Sequence, residues 1–128
     1  MFGGTGVINI DFAGLKTTQQ LSLGEILNDA NNVQKADFTD LENVSITNLN
    51  SAFFGCLNLK EIYLPWKVAP IINSNTFGHN SSFYTGYKTK GTGNKLYIPS
   101  DATGYDSGYW LDPLQNSSKC GFTISKTL

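Results

Sequence analysis

The chain has 128 residues, a length typical of one domain, and nine Lys and Arg against ten Asp and Glu leave a net charge of -1. A chain so balanced offers no basic field for phosphates, so we expect no nucleic-acid partner. Its longest apolar run, SAFFGCL (51–57), is far shorter than the roughly 20 residues of a membrane-spanning helix, so we expect no membrane insertion.

One apolar pattern recurs along the chain. VINIDF (7–12), VQKADF (33–38) and LKEIYL (59–64) follow each other at equal intervals, which places Ile10, Ala36 and Ile62 in one column. A fourth copy, NKLYIP (94–99), comes after a longer interval and adds Leu96 to that column. The additional length lies in GHNSSFYTGYKTKGTGN (78–94), which has the Gly-, Ser- and Asn-rich composition of an inserted loop.

A second apolar cluster follows each predicted strand. Neither the strand nor the cluster can exclude water alone, but stacked units would bury both in one continuous core. In the third copy the register slips, and Ile72, Thr76 and Phe77 are the expected equivalents. An ordinary α+β domain with evenly spaced strands is the alternative. The first two clusters are Leu23, Ile26, Leu27 and Ala30, then Leu49, Ala52, Phe53 and Cys56.

These spacings predict a single solenoid domain over 1–128. Its repeats run from about 7–32, 33–58, 59–93 with the inserted loop 78–94, and 94–104, followed by a cap over 105–128. We expect Tyr105, Tyr109 and Trp110 to cover the last coil, with a sugar-stacking platform as the alternative use of these aromatic residues. The segment CGFTISKTL (120–128) could add a final strand.

The chain shows no constellation typical of an enzyme. Its one histidine, His79, has no second imidazole or cysteine pair to complete a metal site, and no glycine-rich stretch has the context of a phosphate loop. Cys56 lies in an apolar column, so we expect a buried free thiol, while a bridge between Cys56 and Cys120 stays open. We therefore expect no catalytic residues, no metal and no cofactor.

Two columns are expected to face outward from the strands. In the first, Lys35, Glu61 and Lys95 alternate in sign and could pair across strands. In the second, Tyr63 lies beside Tyr97, and exposed tyrosines on a rigid sheet are typical of binding surfaces, with cross-strand packing alone as the alternative. Asp11 beside Asp37 suggests either two hydrated carboxylates or a site for a cation or basic partner. The complete columns are Asn9, Lys35, Glu61 and Lys95, then Asp11, Asp37, Tyr63 and Tyr97.

The hypothesis for a ligand surface therefore combines the sheet face with the inserted loop. Glu61, Tyr63, Lys95 and Tyr97 form its sheet part, and the aromatic residues Tyr84 and Tyr87 form its loop part. A loop of this length is often functional, although a plain surface excursion would have the same composition.

The motif AFFGCLNLKEIYLP (52–65) resembles the BspA-like leucine-rich repeats of bacterial cell-surface proteins, and KLYIPSDATGYDSGYWLDPL (95–114) resembles their terminal unit. The first copy is a degenerate member, with Ile26-Leu27 in place of Ala-Phe and Ala30 in place of Cys. The resemblance implies a right-handed α/β-type solenoid with short parallel strands in one sheet, irregular or short helical second halves and a carboxy-terminal cap. It also implies an extracellular or cell-surface location and a role in adhesion.

The expected function is a non-enzymatic extracellular module that binds a protein partner through the sheet face and the loop. The alternatives are a carbohydrate-binding module that uses the loop and cap aromatic residues, or a structural spacer or end cap of a longer repeat protein. Because no cap-like segment precedes the first coil, we expect upstream repeats or an edge-to-edge dimer. MFGGTGVINI (1–10) lacks the regions of a secretory signal, so any signal is expected outside this chain.

Overall fold

Short strands at regular intervals organise the computed structural model, which describes residues 8–13, 20–77, 94–110 and 122–128. The strands are β1 (Asn9–Ile10), β2 (Lys35–Asp37), β3 (Glu61–Tyr63), β4 (Asn94–Tyr97) and β5 (Phe122–Ser125). They form one parallel sheet in the order β1-β2-β3-β4-β5. Parallel neighbours that are consecutive in the chain require a full circuit between them, so the protein is a parallel β-solenoid.

The strand register confirms the repeat. Ile10 lies opposite Ala36, Ala36 opposite Ile62, and Ile62 opposite Leu96, as the alignment of the four copies predicts. Leu96 in turn lies opposite Ile124, so the segment near the carboxyl end supplies the predicted final strand. We call the described residues of 8–32 coil 1, of 33–58 coil 2, of 59–77 coil 3 and of 94–110 coil 4.

Backbone hydrogen bonds also join the coils behind the sheet. From Leu23 to Asp29, coil 1 donates to coil 2 in a constant register, in which the Leu23 N–H bonds to the Asn48 carbonyl at 3.1 Å. The same register between coils 2 and 3 would take the Leu49 N–H to Ser74, but it bonds to the earlier Ile71 carbonyl at 2.8 Å. Coil 3 therefore takes a shorter path than coil 2, which confirms the register slip predicted for the third copy.

The core is one cluster that runs through all coils. Ala36, Ile62 and Leu96 are fully buried in the predicted inward column. Aromatic rings continue the core from coil to coil: Phe53 packs edge-on against Phe38 at 6.0 Å and stacks on Phe77 at 5.4 Å. This continuity explains how units too short to fold alone are stable in the stack, since each covers the apolar face of the next.

Buried aromatic side chains of coils 3 and 4 form hydrogen bonds to the backbone of the preceding coil. The Trp66 Nε1–H donates to the carbonyls of Leu41 and Val44, both at 3.1 Å. The Tyr105 hydroxyl donates to the Trp66 carbonyl at 2.9 Å, and the Trp110 Nε1–H donates to the Pro70 carbonyl at 3.0 Å. Tyr105 and Trp110 thus lie in the buried interface of coils 3 and 4.

The helical content is limited to two 3-10 turns, Thr39–Leu41 and Gly108–Trp110, and no α-helix occurs in the described ranges. The parallel solenoid is therefore established, while the finer prediction of an α/β leucine-rich repeat stays a prediction. Within the same ranges, no helix has the length and apolar character to cross a bilayer.

Candidate binding face

The outward side chains of the strands form a flat surface, which we call the sheet face. The register aligns Lys35, Glu61 and Lys95 in one row and Asp37, Tyr63 and Tyr97 in the next. β5 extends these rows with Thr123 and Ser125. The sheet face comprises Lys35, Asp37, Glu61, Tyr63, Lys95, Tyr97, Thr123 and Ser125.

Tyr63 and Tyr97 form a stacked pair at the centre of the sheet face. Their ring centroids lie 4.6 Å apart and the ring planes differ by 15°. Both residues are half-buried. Parallel pairing holds the two backbones at strand spacing, which sets this ring separation. The pair presents a broad aromatic surface whose rings are already ordered before any ligand binds.

Neighbouring polar groups fix the Tyr63 ring. Its hydroxyl donates a hydrogen bond to Glu61 Oε2 at 2.8 Å, and the Lys35 ammonium lies 4.9 Å from the ring centroid. The hydrogen bond to the Glu61 carboxylate, followed by partial desolvation, raises the pKa of Tyr63 to about 12. At neutral pH the phenol is therefore a protonated, pre-oriented donor with a cation at its ring.

The alternating charges do not form the cross-strand ion pairs that their order suggests. Lys35 lies 4.0 Å from Asp37 on its own strand, and Glu61 accepts from Tyr63. Lys95 is exposed and has no ion pair within the described residues. The expectation that these charges pair across the strands is thus wrong. The Lys35 ammonium instead contacts Asp37, and the Glu61 carboxylate binds the Tyr63 hydroxyl. Among the described residues, Lys95 is therefore left without an ion-pair partner.

Asp11 and Asp37, the two aspartates of the predicted outward column, cap the ends of their strands. Asp11 Oδ1 accepts from the Ala13 N–H at 3.1 Å, and Asp37 Oδ1 accepts from the Thr39 N–H at 3.0 Å and from the Thr39 hydroxyl at 2.6 Å. These are local side-chain-to-backbone bonds that start the following turn. They explain the like charges without a bound cation, and no group of three potential metal ligands occurs in the part of the chain that the structure describes.

Cys56 is a core residue, as predicted. Its side chain is fully buried and its thiol donates to the Leu27 carbonyl at 3.0 Å. Burial raises the pKa of the thiol to about 12, so it stays protonated and unreactive at neutral pH. Cys56 is free among the described residues. Cys120, the other half of the possible bridge, lies outside the described residues.

Of the remaining candidates, two are buried, one is exposed and two lie outside the described residues. Tyr105 and Trp110 are 2% and 4% exposed, so neither ring is available to a sugar, whereas Tyr109 is 52% exposed. The predicted loop residues Tyr84 and Tyr87 lie outside the described residues.

A groove between coils 2 and 3 is the feature that the sequence did not reveal. It is open to solvent and has a volume of about 850 Å³, with residues 42–47 on one wall and 65–71 on the other. The Trp66 indole joins the two walls, because its Nε1–H donates to the carbonyl of Val44 as well as to that of Leu41. The register slip in the third copy could have indicated this groove. A coil that uses fewer residues than its neighbour cannot pair with that neighbour along its whole length.

No protein-family model, no curated protein and no solved structure matches this chain.

Proposed function

We propose that the chain is a BspA-like leucine-rich-repeat module of the cell surface that binds a protein partner through the sheet face. The observation that carries the proposal is the Tyr63–Tyr97 stack at 4.6 Å, in which Tyr63 is hydrogen-bonded to Glu61 and has the Lys35 ammonium 4.9 Å from its ring centroid. The cell-surface location and the role in adhesion come from the resemblance of residues 52–65 and 95–114 to that family.

The chemistry of the sheet face favours a protein ligand. Tyrosines contribute large contact areas with few rotatable bonds, which is why they are enriched at the centres of protein interfaces. Tyr63 is already oriented by Glu61, so little rotamer freedom would be lost on binding. Lys95 lies two residues before Tyr97 on the same strand and has no ion pair among the described residues, so its ammonium would select a partner with a carboxylate at that position.

The test compares three proteins on the same surface-bound panel of purified extracellular-matrix and serum proteins, with a glycan array in parallel. They are the unaltered chain, the double variant Tyr63→Ser/Tyr97→Ser, and the control Tyr109→Ser. The control also removes an exposed tyrosine, but from outside the sheet face. We expect one or more panel proteins to bind, with an affinity at least tenfold lower for the double variant and unchanged for the control.

Urea unfolding of all three proteins confirms that lost binding does not reflect a lost fold. Protein binding that survives in the double variant contradicts the role of the sheet face. Binding to glycans alone supports the carbohydrate alternative instead, and silence in both assays supports a structural spacer. Either result overturns the proposal.

A further inference from the structure

The two walls of the groove are extended segments that each pair on only one side. In coil 2, Ile46 bridges to Leu21 through the Leu21 N–H to Ser45 carbonyl bond and the Thr47 N–H to Leu21 carbonyl bond, at 2.9 and 2.8 Å. Both bonds point toward coil 1. The opposite edge of this segment faces the groove.

The wall from coil 3 repeats this arrangement in the other direction. Val68 bridges to Thr103 of coil 4 through the Thr103 N–H to Lys67 carbonyl bond and the Ala69 N–H to Thr103 carbonyl bond, at 2.7 and 3.0 Å. The backbone groups of Val68 itself therefore point away from coil 4, because consecutive residues of an extended chain direct their N–H and C=O to opposite sides.

The groove is consequently a gap in a coil-to-coil ladder. Ile46 presents its N–H and C=O from one wall and Val68 presents its own from the other, and none of these four groups has a hydrogen-bond partner within the described residues. Unpaired strand edges of this kind are templates for another extended chain. Here two such edges face one space.

The groove is short and its walls expose apolar side chains. Pro65 and Pro70 lie at its two ends on the coil 3 wall, and neither has an N–H to donate, so pairing along this wall is limited to residues 66–69. Val68 and Ile71 are 71% and 67% exposed. They are two of the five large apolar side chains that are exposed in the described part of the chain. An occupant with apolar side chains would remove both from water.

The charges of the groove define the occupant further. The Lys67 ammonium is engaged by Asp101 at 2.8 Å, whereas Glu42, which lines the same groove, has no ion pair among the described residues. The triad of Glu42, Lys67 and Asp101 thus carries one net negative charge. A basic residue in the occupant would complement it.

From these features we propose that the groove binds one extended peptide segment of a partner protein, about four or five residues long, with alternating apolar side chains and a basic residue. The segment completes the ladder by pairing with Ile46 on one side and Val68 on the other. This β-strand addition is a recognised mode of peptide binding. It does not depend on the sheet face, which lies on other residues.

The experiment titrates the full chain with a blocked pentapeptide of alternating valine and lysine and follows backbone amide exchange by NMR. At ten times the peptide's Kd, exchange of the Ile46 and Val68 amides should slow about tenfold, because only the free state exchanges. The Leu21 amide, already bonded at 2.9 Å, serves as an internal reference. A pentapeptide of alternating proline and lysine keeps the positive charge of the lysines but has N–H donors toward only one wall, so it should bind at least tenfold more weakly.

Matched variants locate the site. Val68→Lys places a like charge in the groove and should reduce lysine-peptide binding at least tenfold, while Ile8→Lys, which alters another exposed apolar residue, should not. Glu42→Gln should weaken the lysine peptide about threefold and leave a valine–glutamine peptide unchanged. Tyr63→Ser/Tyr97→Ser should bind the peptide normally, so that failure here is distinguishable from failure of the proposed function.

Several results overturn the proposal. Slow exchange of the Ile46 and Val68 amides without peptide, at low protein concentration, would show that the chain already pairs these edges. Slowing that grows with protein concentration would assign the groove to a second copy. Equal binding of the proline peptide, or of the Val68→Lys variant, would show that backbone pairing in this groove is not the basis of recognition.

Discussion

The close contact of coils 1 and 2 at Gly55 gives a quantitative test of the stacking. Gly55 has a φ of +79°, and a Cβ added there would lie 3.0 Å from the Cα of Asp29 and 3.2 Å from its N. Asp29 has no room to retreat, because its N–H is hydrogen-bonded to the Phe54 carbonyl at 2.7 Å. Substituting alanine for Gly55 therefore forces either a backbone shift or a loss of this bond.

Two unfavourable terms and one favourable term set the magnitude for Gly55→Ala. A left-handed conformation costs an L-residue roughly 1–2 kcal/mol, and overpacking against fixed neighbours costs about 1–3 kcal/mol. The lower entropy of the unfolded alanine chain offsets about 0.4–1 kcal/mol. We expect the free energy of unfolding to fall by about 1–4.5 kcal/mol.

Gly108→Ala is the matched control, since Gly108 also has a positive φ, +56°, but no atom within 4 Å of the added Cβ. It should lose only the conformational term, about 1 kcal/mol. Urea unfolding of both variants measures the difference as separate shifts of the midpoint, with unchanged slopes. Equal losses in the two variants would refute the inference that coils 1 and 2 are in tight contact at Gly55.

Two further predictions concern titratable side chains. Iodoacetamide at neutral pH should label Cys56 only after denaturation, since burial raises the pKa of its thiol to about 12; peptide mapping of the labelled position checks this, and rapid native labelling would contradict it. For Tyr63, the folded state holds the phenol protonated to a pKa of about 12, above the ordinary value of 10.0. Its contribution to stability should therefore be complete below pH 10 and be lost as the pH rises toward 12. The substitution Glu61→Gln should lower the pKa of Tyr63 measured by ultraviolet titration. An unchanged pKa in this variant would contradict the role of the Glu61 carboxylate.

The sequence was sufficient to predict the strand register, because burial and spacing act together there. Ile10, Ala36, Ile62 and Leu96 occupy one inward column, and a shift by one residue would turn every inward side chain to the solvent. That constraint is strict enough for a pattern of apolar residues to reveal it. It also fixed the neighbouring outward rows, so that the Tyr63–Tyr97 pair followed directly.

The partners of the charged side chains could not be predicted in the same way. Glu61 lies opposite Lys95 in the register, yet its carboxylate accepts from the Tyr63 hydroxyl two residues along the same strand. Register determines which Cα atoms are neighbours, whereas long side chains choose among several partners of similar energy. The groove could not be predicted for a related reason. It depends on the backbone paths of residues 42–47 and 65–71, which lie outside the strands and are not constrained by the strand register.

The position of the tyrosine pair follows from a coupling between the second outward row and the residue two positions later. In coils 1 and 2 that later residue is Ala13 or Thr39, whose N–H is left free at the strand end and is capped by the aspartate of the row.

In coils 3 and 4 the later residue is Pro65 or Pro99, which has no N–H and needs no cap. The row position is then released from its capping role, and it carries Tyr63 and Tyr97 instead of aspartate. Proline at the strand end thus removes the need for a capping aspartate on β3 and β4. The binding surface proposed above accordingly lies on the strands whose row position has no capping role.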